Sequence, residues 1–212
     1  MSETSLIVIG GGGNSRSLIA FLNESPRYRV EGYTDLSDRG DLLGKSWLGP
    51  EDDLDLSGRN VVIGLTYANT AADRSLRYRV IDSLSRRGAL FPTVRADSAL
   101  VDASARMGRG GAVFRRVLVN SGTHIGEYAI LNSGSVVEHD CRLGDHAFVG
   151  PNATLCGGVQ MGDRVFVGAG AVVRDDLSVC DDVTIGIGAV ITRSIETAGI
   201  YVGNPARRLV GG

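Results

Sequence analysis

Aliphatic residues recur at every sixth position through the second half of the chain. The series is Val101, Met107, Val113, Val119, Ile125, Leu131, Val137, Leu143, Val149, Leu155, Met161, Val167, Val173, Val179, Ile185 and Ile191. The residue four places after each is also small or aliphatic. A period of six fits neither an α-helix nor an alternating strand. It is typical of a parallel β-helix, in which three hexads close one triangular coil, so about five coils are predicted.

The first hundred residues follow a different pattern, in which short apolar runs alternate with helical stretches. Strands are predicted at residues 6–9, 30–33 and 61–63, with a further candidate at 90–94, and helices at about 15–23 and 69–87. Strands that alternate with helices indicate a small parallel sheet. We therefore expect a Rossmann-like α/β domain over residues 1–98, followed by a parallel β-helix with a C-terminal tail over residues 99–212.

The residues predicted to point outward from the β-helix separate into three faces. One face is polar, with Arg106, His124, Arg142, Gln160, Ser178 and Glu196. The other two are mainly apolar: Ala112, Ile130, Phe148, Phe166 and Thr184 on one, and Leu118, Val136, Thr154, Val172 and Val190 on the other. A monomer rarely exposes this much apolar surface. Two different faces that bury each other around a ring predict a homotrimer. The alternative is that the N-terminal domain covers one face, although it could not easily cover both.

The charge and cysteine content exclude several classes of protein. A net charge of −2 gives no basic footprint for nucleic acid or an anionic membrane. No apolar run approaches a bilayer span, and the first residues lack a secretory signal pattern, so a cytoplasmic protein without membrane association is expected. The three cysteines are not spaced as metal pairs, and we expect no metal.

A glycine run after the first predicted strand is a candidate substrate site. Gly11, Gly12, Gly13 and Asn14 would open a helix whose free N–H groups suit a phosphate. Asp35 follows the second strand, where a ribose or base often lies in such sheets. The alternative is a tight turn beside an ordinary loop aspartate, because this glycine pattern is a weak signal alone.

His139 is the candidate general base of the β-helix. It lies at the corner between the Val136 and Arg142 strands, with Gly157 one coil above it and Glu138 and Asp140 on either side. Either acid could orient the imidazole, and a glycine leaves a backbone N–H accessible to an oxyanion. The alternative is a solvated surface histidine.

Three sequence stretches and the hexads resemble one enzyme family. The stretches are VVEHDC at residues 136–141, CGG at 156–158 and VGNPAR at 202–207. They are similar to the sialic acid O-acetyltransferase and nucleotide-sugar N-acetyltransferase family, whose members include enzymes that act on UDP-4-amino and GDP-4-amino (perosamine) sugars. The resemblance implies a left-handed β-helix and a homotrimer, with acetyl-CoA in the groove between neighbouring subunits.

The resemblance also implies roles for individual residues. His139 matches the family's base, Asp140 its supporting acid, and Gly157 the backbone donor at the thioester carbonyl. Asn132 matches a substrate-side asparagine. The implied coenzyme contacts are His146, Phe148, Gly157, Gly203, Pro205 and Arg207. The chain departs from the family at Asn14 and Phe148, where histidines are usual.

These observations favour an acetyl-CoA-dependent N-acetyltransferase that acts on a nucleotide-linked amino sugar. O-acetylation of a sialic-acid-like sugar and a non-catalytic binding homologue remain alternatives. A trimeric zinc hydratase would need three convergent histidines. His124 on the polar face and His146 at another corner argue against that arrangement.

Overall fold

The structure, a computed structural model, describes residues 3–66 and 71–209. The chain divides into two compact units, Met1–Pro92 and Thr93–Gly212. This division falls before the predicted boundary between residues 98 and 99. The reason is that Val94–Arg95 already pairs in parallel with Ala112–Val113 as a strand of the β-helix.

The first unit contains a three-stranded parallel sheet with strand order β2-β1-β3. Its elements are β1 (Thr4–Ile9), α1 (Gly13–Leu22), β2 (Tyr28–Thr34), a 3₁₀ turn (Glu51–Asp53), β3 (Val61–Ile63) and α2 (Ala71–Arg86). The predicted start of α2 at Asn69 lies outside the described residues. The candidate strand at 90–94 is wrong, because Leu90 makes only an isolated bridge to Asn60 and Val94 belongs to the β-helix.

The central strand β1 accounts for the position of the glycine run. Its residues Leu6, Val8 and Ile9 are fully buried, as expected for the middle strand of a parallel sheet. The chain leaves β1 at Gly10 and enters α1 at Gly13, while β2 ends at Thr34 beside it. Gly11 and Asp35 therefore meet at the carboxyl ends of neighbouring strands, where α/β sheets bind ligands.

The second unit is the predicted β-helix, and it is left-handed. We name its faces after central residues. The Val136 face contains Leu100–Val101, Leu118–Val119, Val136–Val137, Thr154–Leu155, Val172–Val173 and Val190–Ile191. The Arg142 face contains Arg106–Met107, His124–Ile125, Arg142–Leu143, Gln160–Met161 and Ser178–Val179. The Phe148 face contains Val94–Arg95, Ala112–Val113, Ile130–Leu131, Phe148–Val149, Phe166–Val167 and Val183–Ile185, followed by a hairpin of Gly199–Gly203 and Ala206–Arg208.

The hexad register predicted from the sequence is confirmed. Val136 pairs with Thr154, and Leu155 with Val173, each 18 residues on along the chain. The inward aliphatic residues from Val113 to Ile191 are all buried. At each corner one residue adopts positive φ, and this conformation recurs every six residues from Gly110 to Gly188. A residue with left-handed backbone dihedrals makes each sharp corner. This conformation is uncommon for residues other than glycine, asparagine and aspartate.

The two apolar outer faces differ in exposure. On the Phe148 face, Ala112, Ile130 and Phe148 are already buried within the single chain, at 3%, 0% and 6% exposure. The lower part of this face is therefore covered within the single chain. The Val136 face remains partly exposed along its whole length, from Leu100 to Val190. Within the described part of the chain, no helix is long and apolar enough to cross a bilayer.

Candidate active site

His139 occupies the corner that follows the Val136–Val137 strand. Its side chain is 60% exposed, and Nδ1 lies 3.0 Å from Asp140 Oδ2. Asp140 has φ of 59°, so it is the left-handed residue of its corner. Aspartate tolerates this conformation better than most residues. The corner geometry and the ion pair together orient the imidazole.

The acids around His139 favour the protonated imidazole. The hydrogen bond to Asp140 is the main cause that raises the pKa of His139, and the charges of Asp140, Glu138 and Asp176 act in the same direction. With Nδ1 engaged by a carboxylate, Nε2 is the ring nitrogen left to exchange a proton with a bound group.

Gly157 lies directly against the imidazole. A Cβ added to Gly157 would come within 2.6 Å of His139 Nε2 and 2.7 Å of Cε1. The next residue, Gly158, donates its N–H to the His139 carbonyl at 2.9 Å. Within the described residues the Gly157 N–H makes no hydrogen bond. The predicted stacking of Gly157 over His139 is therefore present, and the Gly157 N–H is available as a donor.

Glu138 does not hold the imidazole. Its carboxylate accepts from Asn120 Nδ2 at 2.6 Å, and its backbone carbonyl accepts from Thr123 Oγ1 at 2.8 Å. Of the two acids that flank His139, Asp140 is thus the orienting one. The sequence left this choice open because both residues are adjacent to the histidine.

Two thiols lie near this corner and are not activated. Burial raises the pKa of Cys141 to about 11, and Sγ donates to the Cys156 carbonyl at 3.2 Å. Burial also raises the pKa of Cys156, and the nearby Asp175 and Glu138 charges add to this effect. Both thiols are therefore protonated near neutral pH and are poor nucleophiles.

The other histidines are in separate surroundings. His146 stacks on Tyr128 with ring centroids 5.1 Å apart, and His124 Nδ1 lies 3.0 Å from the Gly122 carbonyl. Phe148, two residues after His146, stacks on Phe166 at 4.6 Å. Among the residues that the structure describes, no group of three or more histidine, cysteine or acidic side chains could hold a metal ion.

Asp35 is committed to the glycine loop of the first unit. Its Oδ2 accepts from the Gly11 N–H at 2.8 Å, and its Oδ1 accepts from the Ser37 N–H and pairs with Arg39 at 3.3 Å. Burial acts to raise the pKa of Asp35, but these hydrogen bonds outweigh it and the pKa is lowered. Asp35 therefore fixes the loop to the end of β2.

The rest of the glycine loop borders a cavity of about 210 Å³. Gly12, Gly13 and Asn14 line it, and a Cβ at either glycine would meet nothing within 4 Å. The amide of Asn14 donates to the Gly64 carbonyl at 3.0 Å. Arg77 of α2 also lines this cavity although it is 1% exposed. Sequence reasoning missed Arg77 because a helical arginine is usually a solvated residue.

The C-terminal hairpin forms a basic cavity of about 240 Å³ at the end of the β-helix. Its lining includes Arg193, Arg207 and Arg208 and no acidic residue. Gly203 and Pro205 form the tip of the hairpin, with a cis Asn204–Pro205 peptide bond. Asn132 lies elsewhere, in the turn after the Ile130–Leu131 strand, and its Oδ1 accepts from the Ser133 N–H.

Residues 122–157, which include His139 and Gly157, match the bacterial transferase hexapeptide family (six repeats). The whole chain is similar to PerB from Caulobacter crescentus, solved in complex with CoA and GDP-perosamine. The two share 30% sequence identity with a TM-score of 0.87, over 99% of each chain. The chain belongs to the sialic acid O-acetyltransferase and nucleotide-sugar N-acetyltransferase family of hexapeptide-repeat proteins. It is an acyltransferase.

Two further structures resemble this acyltransferase. The acetyltransferase domain of PglB from Neisseria gonorrhoeae, in complex with acetyl coenzyme A, is 26% identical with a TM-score of 0.85, over 98% of this chain and 100% of that one. WeeI from Acinetobacter baumannii has the same fold, with 24% identity and a TM-score of 0.84, over 97% of this chain and 100% of that one. A comparison with curated protein sequences finds no match.

Proposed function

We propose that this acyltransferase moves the acetyl group of acetyl-CoA to the amino group of a nucleotide-linked amino sugar, with His139 as the general base. The observation that carries the proposal is the His139–Gly157 pair. An imidazole oriented by a carboxylate lies against a glycine whose N–H is available. Acyl transfer to an amine needs a proton acceptor and an oxyanion donor side by side.

In the proposed reaction the acceptor amine attacks the thioester carbonyl while Nε2 of His139 takes its proton. The Gly157 N–H donates to the oxyanion of the tetrahedral intermediate. The C–S bond then breaks, and the proton returns from the imidazolium to the departing CoA sulfur. Asp140 stabilises the imidazolium between these steps. The protonated thiols of Cys141 and Cys156 support direct transfer rather than an acyl-cysteine intermediate.

The coenzyme is proposed to run along the His139 corner towards the C-terminal hairpin. His139, Gly157, Asp175 and Arg193 occupy the same place in successive coils, because Val172 pairs with Val190 as Val136 pairs with Thr154. Three coil steps at the strand spacing span about 14 Å. A pantetheine arm of about this length would place the phosphates of the coenzyme at the basic cavity that Arg193, Arg207 and Arg208 line.

The remaining coenzyme and acceptor contacts are proposals from the family resemblance. Gly203 and Pro205 would contact the far end of the coenzyme, and His146 and Phe148 would contribute from the neighbouring subunit. Only 6% of Phe148 is exposed in the single chain. We therefore expect Phe148 to shape the groove rather than to contact the coenzyme directly. Asn132 would contact the sugar.

The acceptor's nucleotide is proposed to bind the glycine loop. Gly11, Gly12, Gly13 and Asn14 connect β1 to α1, and the open Gly12 and Gly13 leave room for a diphosphate at the start of that helix. Asp35 would act indirectly, by fixing Gly11, because its carboxylate oxygens already accept hydrogen bonds within the chain.

A homotrimer is proposed from the exposed apolar surface of the Val136 face. Val136, Thr154, Val172 and Val190 are each only partly covered in the single chain. A ring that buried this face would bring the adjacent His139 corner to a subunit boundary.

The test of the function is thiol release from acetyl-CoA with UDP-, GDP- and dTDP-linked amino sugars. Thiol release with one acceptor, reduced by about 10²–10⁴ in His139→Ala, is expected. An alkali-stable amide product distinguishes N-acetylation from an O-acetyl ester. Acetyl-CoA binding without turnover across the panel would instead favour a non-catalytic homologue.

The coenzyme's course is tested with Arg193→Ala. We expect KM for acetyl-CoA to rise roughly fivefold with little change in kcat, because an exposed phosphate contact is lost at a distance from the reacting atoms. Arg106→Ala, at the opposite end of the β-helix, is the matched control. Equal effects of the two substitutions would contradict the proposed course.

A further inference from the structure

A second cavity of the first unit adjoins the glycine-loop cavity. It has a volume of about 270 Å³ and shares Leu65 and Leu76 with its neighbour. Apolar side chains form most of its walls, among them Leu36, Leu65, Leu76 and Val80. Three charged residues also line it: Asp35, Arg39 and Glu51. An apolar slot beside a phosphate-sized cavity is suited to a flat base attached to a diphosphate.

The three charged groups of this slot differ in what they already bind. Arg39 pairs with Asp35, but Asp35 accepts from only one of the five N–H donors that a guanidinium carries. The Glu51 side chain makes no hydrogen bond or ion pair within the described part of the chain. The slot therefore offers both a cationic donor and a carboxylate acceptor to a ligand.

We propose that this slot selects a guanine nucleotide and that Glu51 is the specificity-determining residue, an inference that rests on the proposed function. Guanine presents acceptors at O6 and N7 and donors at N1–H and the 2-amino group. Arginine is suited to the first pair, and a carboxylate to the second. Uracil presents one N–H between two carbonyl oxygens, and those oxygens would repel the Glu51 carboxylate.

The neighbouring cavity is suited to the diphosphate of the same ligand. Gly12 and Gly13 at the start of α1 line it, and so does the buried Arg77, whose guanidinium donates to the Leu65 carbonyl. Leu65 and Leu76 separate the base from the phosphates and would contact the ribose. The carboxylates are kept away from the phosphates, since Asp35 and Glu51 line the base slot and neither lines the glycine-loop cavity.

The test is equilibrium binding of GDP, IDP and UDP to the full-length protein by calorimetry, without coenzyme or sugar. Wild type is expected to bind GDP at least tenfold more tightly than UDP, with IDP between them because it lacks the 2-amino group. Glu51→Gln is expected to weaken GDP binding about tenfold and to strengthen UDP binding, because the repulsion between the carboxylate and the uracil oxygens is removed. Asp53→Asn is the matched control, because it removes the same charge from the same 3₁₀ turn and does not line the slot.

Each result decides the inference. Tighter binding of UDP than of GDP in wild type would overturn it and leave acetyl transfer to a nucleotide-linked sugar intact. An equal effect of Glu51→Gln on GDP and UDP would also overturn it. Failure of all three nucleotides to bind would overturn both the inference and the nucleotide-linked acceptor, while thiol release with a nucleotide-free amino sugar would still test acetyl transfer itself.

Discussion

The contact between Gly157 and His139 makes Gly157→Ala the most informative substitution. The new methyl would lie 2.6 Å from Nε2 and 2.7 Å from Cε1, whereas ordinary van der Waals contacts to a Cβ begin near 3.4 Å. The backbone should accept alanine, because Gly157 is not among the glycines with positive φ. The imidazole is 60% exposed, so it can turn towards solvent. The expected result is a displaced base in a folded protein.

The displacement should have a large effect on rate and a small one on stability. To reach ordinary contact the ring atoms must move by roughly 1 Å, and a misplacement of that size can cost about 100-fold in rate. The backbone N–H of residue 157 is retained in alanine, so the loss would report on the base and not on the oxyanion donor. We therefore expect kcat to fall about 100-fold, with a melting temperature close to that of wild type.

The assay is steady-state thiol release beside a thermal melt, with Gly170→Ala as control. Gly170 has φ of 65° and open space around its Cβ, so alanine there should cost stability through backbone strain and leave kcat unchanged. In a His139→Ala background, Gly157→Ala should have little further effect. A Gly157→Ala enzyme with wild-type kcat would refute the geometry on which the proposed mechanism rests.

Three further predictions concern the base, the core and the assembly. Asp140 raises the pKa of His139, so the neutral imidazole predominates only above that raised value. Asp140→Asn should therefore move the acidic limb of the pH–rate profile to lower pH. An acidic limb that does not move would argue against the pairing of Asp140 with His139. Ser135 buries a hydroxyl that has no partner among the described residues, whereas Thr123 donates to a backbone carbonyl. Chemical denaturation should therefore show Ser135→Ala to be neutral or stabilising and Thr123→Val to cost roughly 1 kcal/mol, and the reverse order would contradict the hydrogen-bond assignment. Val172→Lys on the Val136 face should abolish trimers in analytical ultracentrifugation, whereas a stable trimer would place the interface elsewhere.

The β-helix could be predicted from sequence because its geometry imposes a short period on every coil. Each inward side chain must fill the same triangular interior, so an aliphatic residue is required at the same point of each hexad. The stacking of Gly157 on His139 follows from that period alone. The burial of Ala112, Ile130 and Phe148 does not follow from that period, because the period shows which side chains point outward but not what covers them.

The finer features of the site depend on contacts between residues distant in sequence. The choice of Asp140 over Glu138 as partner of His139 follows from the left-handed backbone at Asp140 and from the Asn120 amide, which engages Glu138 from one coil below. Arg77 could not be recognised as a cavity residue from the sequence, because only the packing of α2 buries it. Asp35 and Gly11 are both candidates from the sequence, but the hydrogen bond between them is not predictable, because Gly11 follows another strand.

The pairing of residues 18 apart restricts how this chain can change in length during evolution. Inserting one residue at a corner would shift every later inward side chain out of the interior, so single insertions and deletions should be eliminated within the coils. A whole coil could be gained or lost without disturbing any pair, and would lengthen or shorten the β-helix by about 4.8 Å. On the proposed course of the coenzyme, the three coil steps between His139 and Arg193 thus fix the length of acyl carrier that can reach both ends. Descendants of this enzyme could adopt a longer or shorter carrier only in increments of one complete coil.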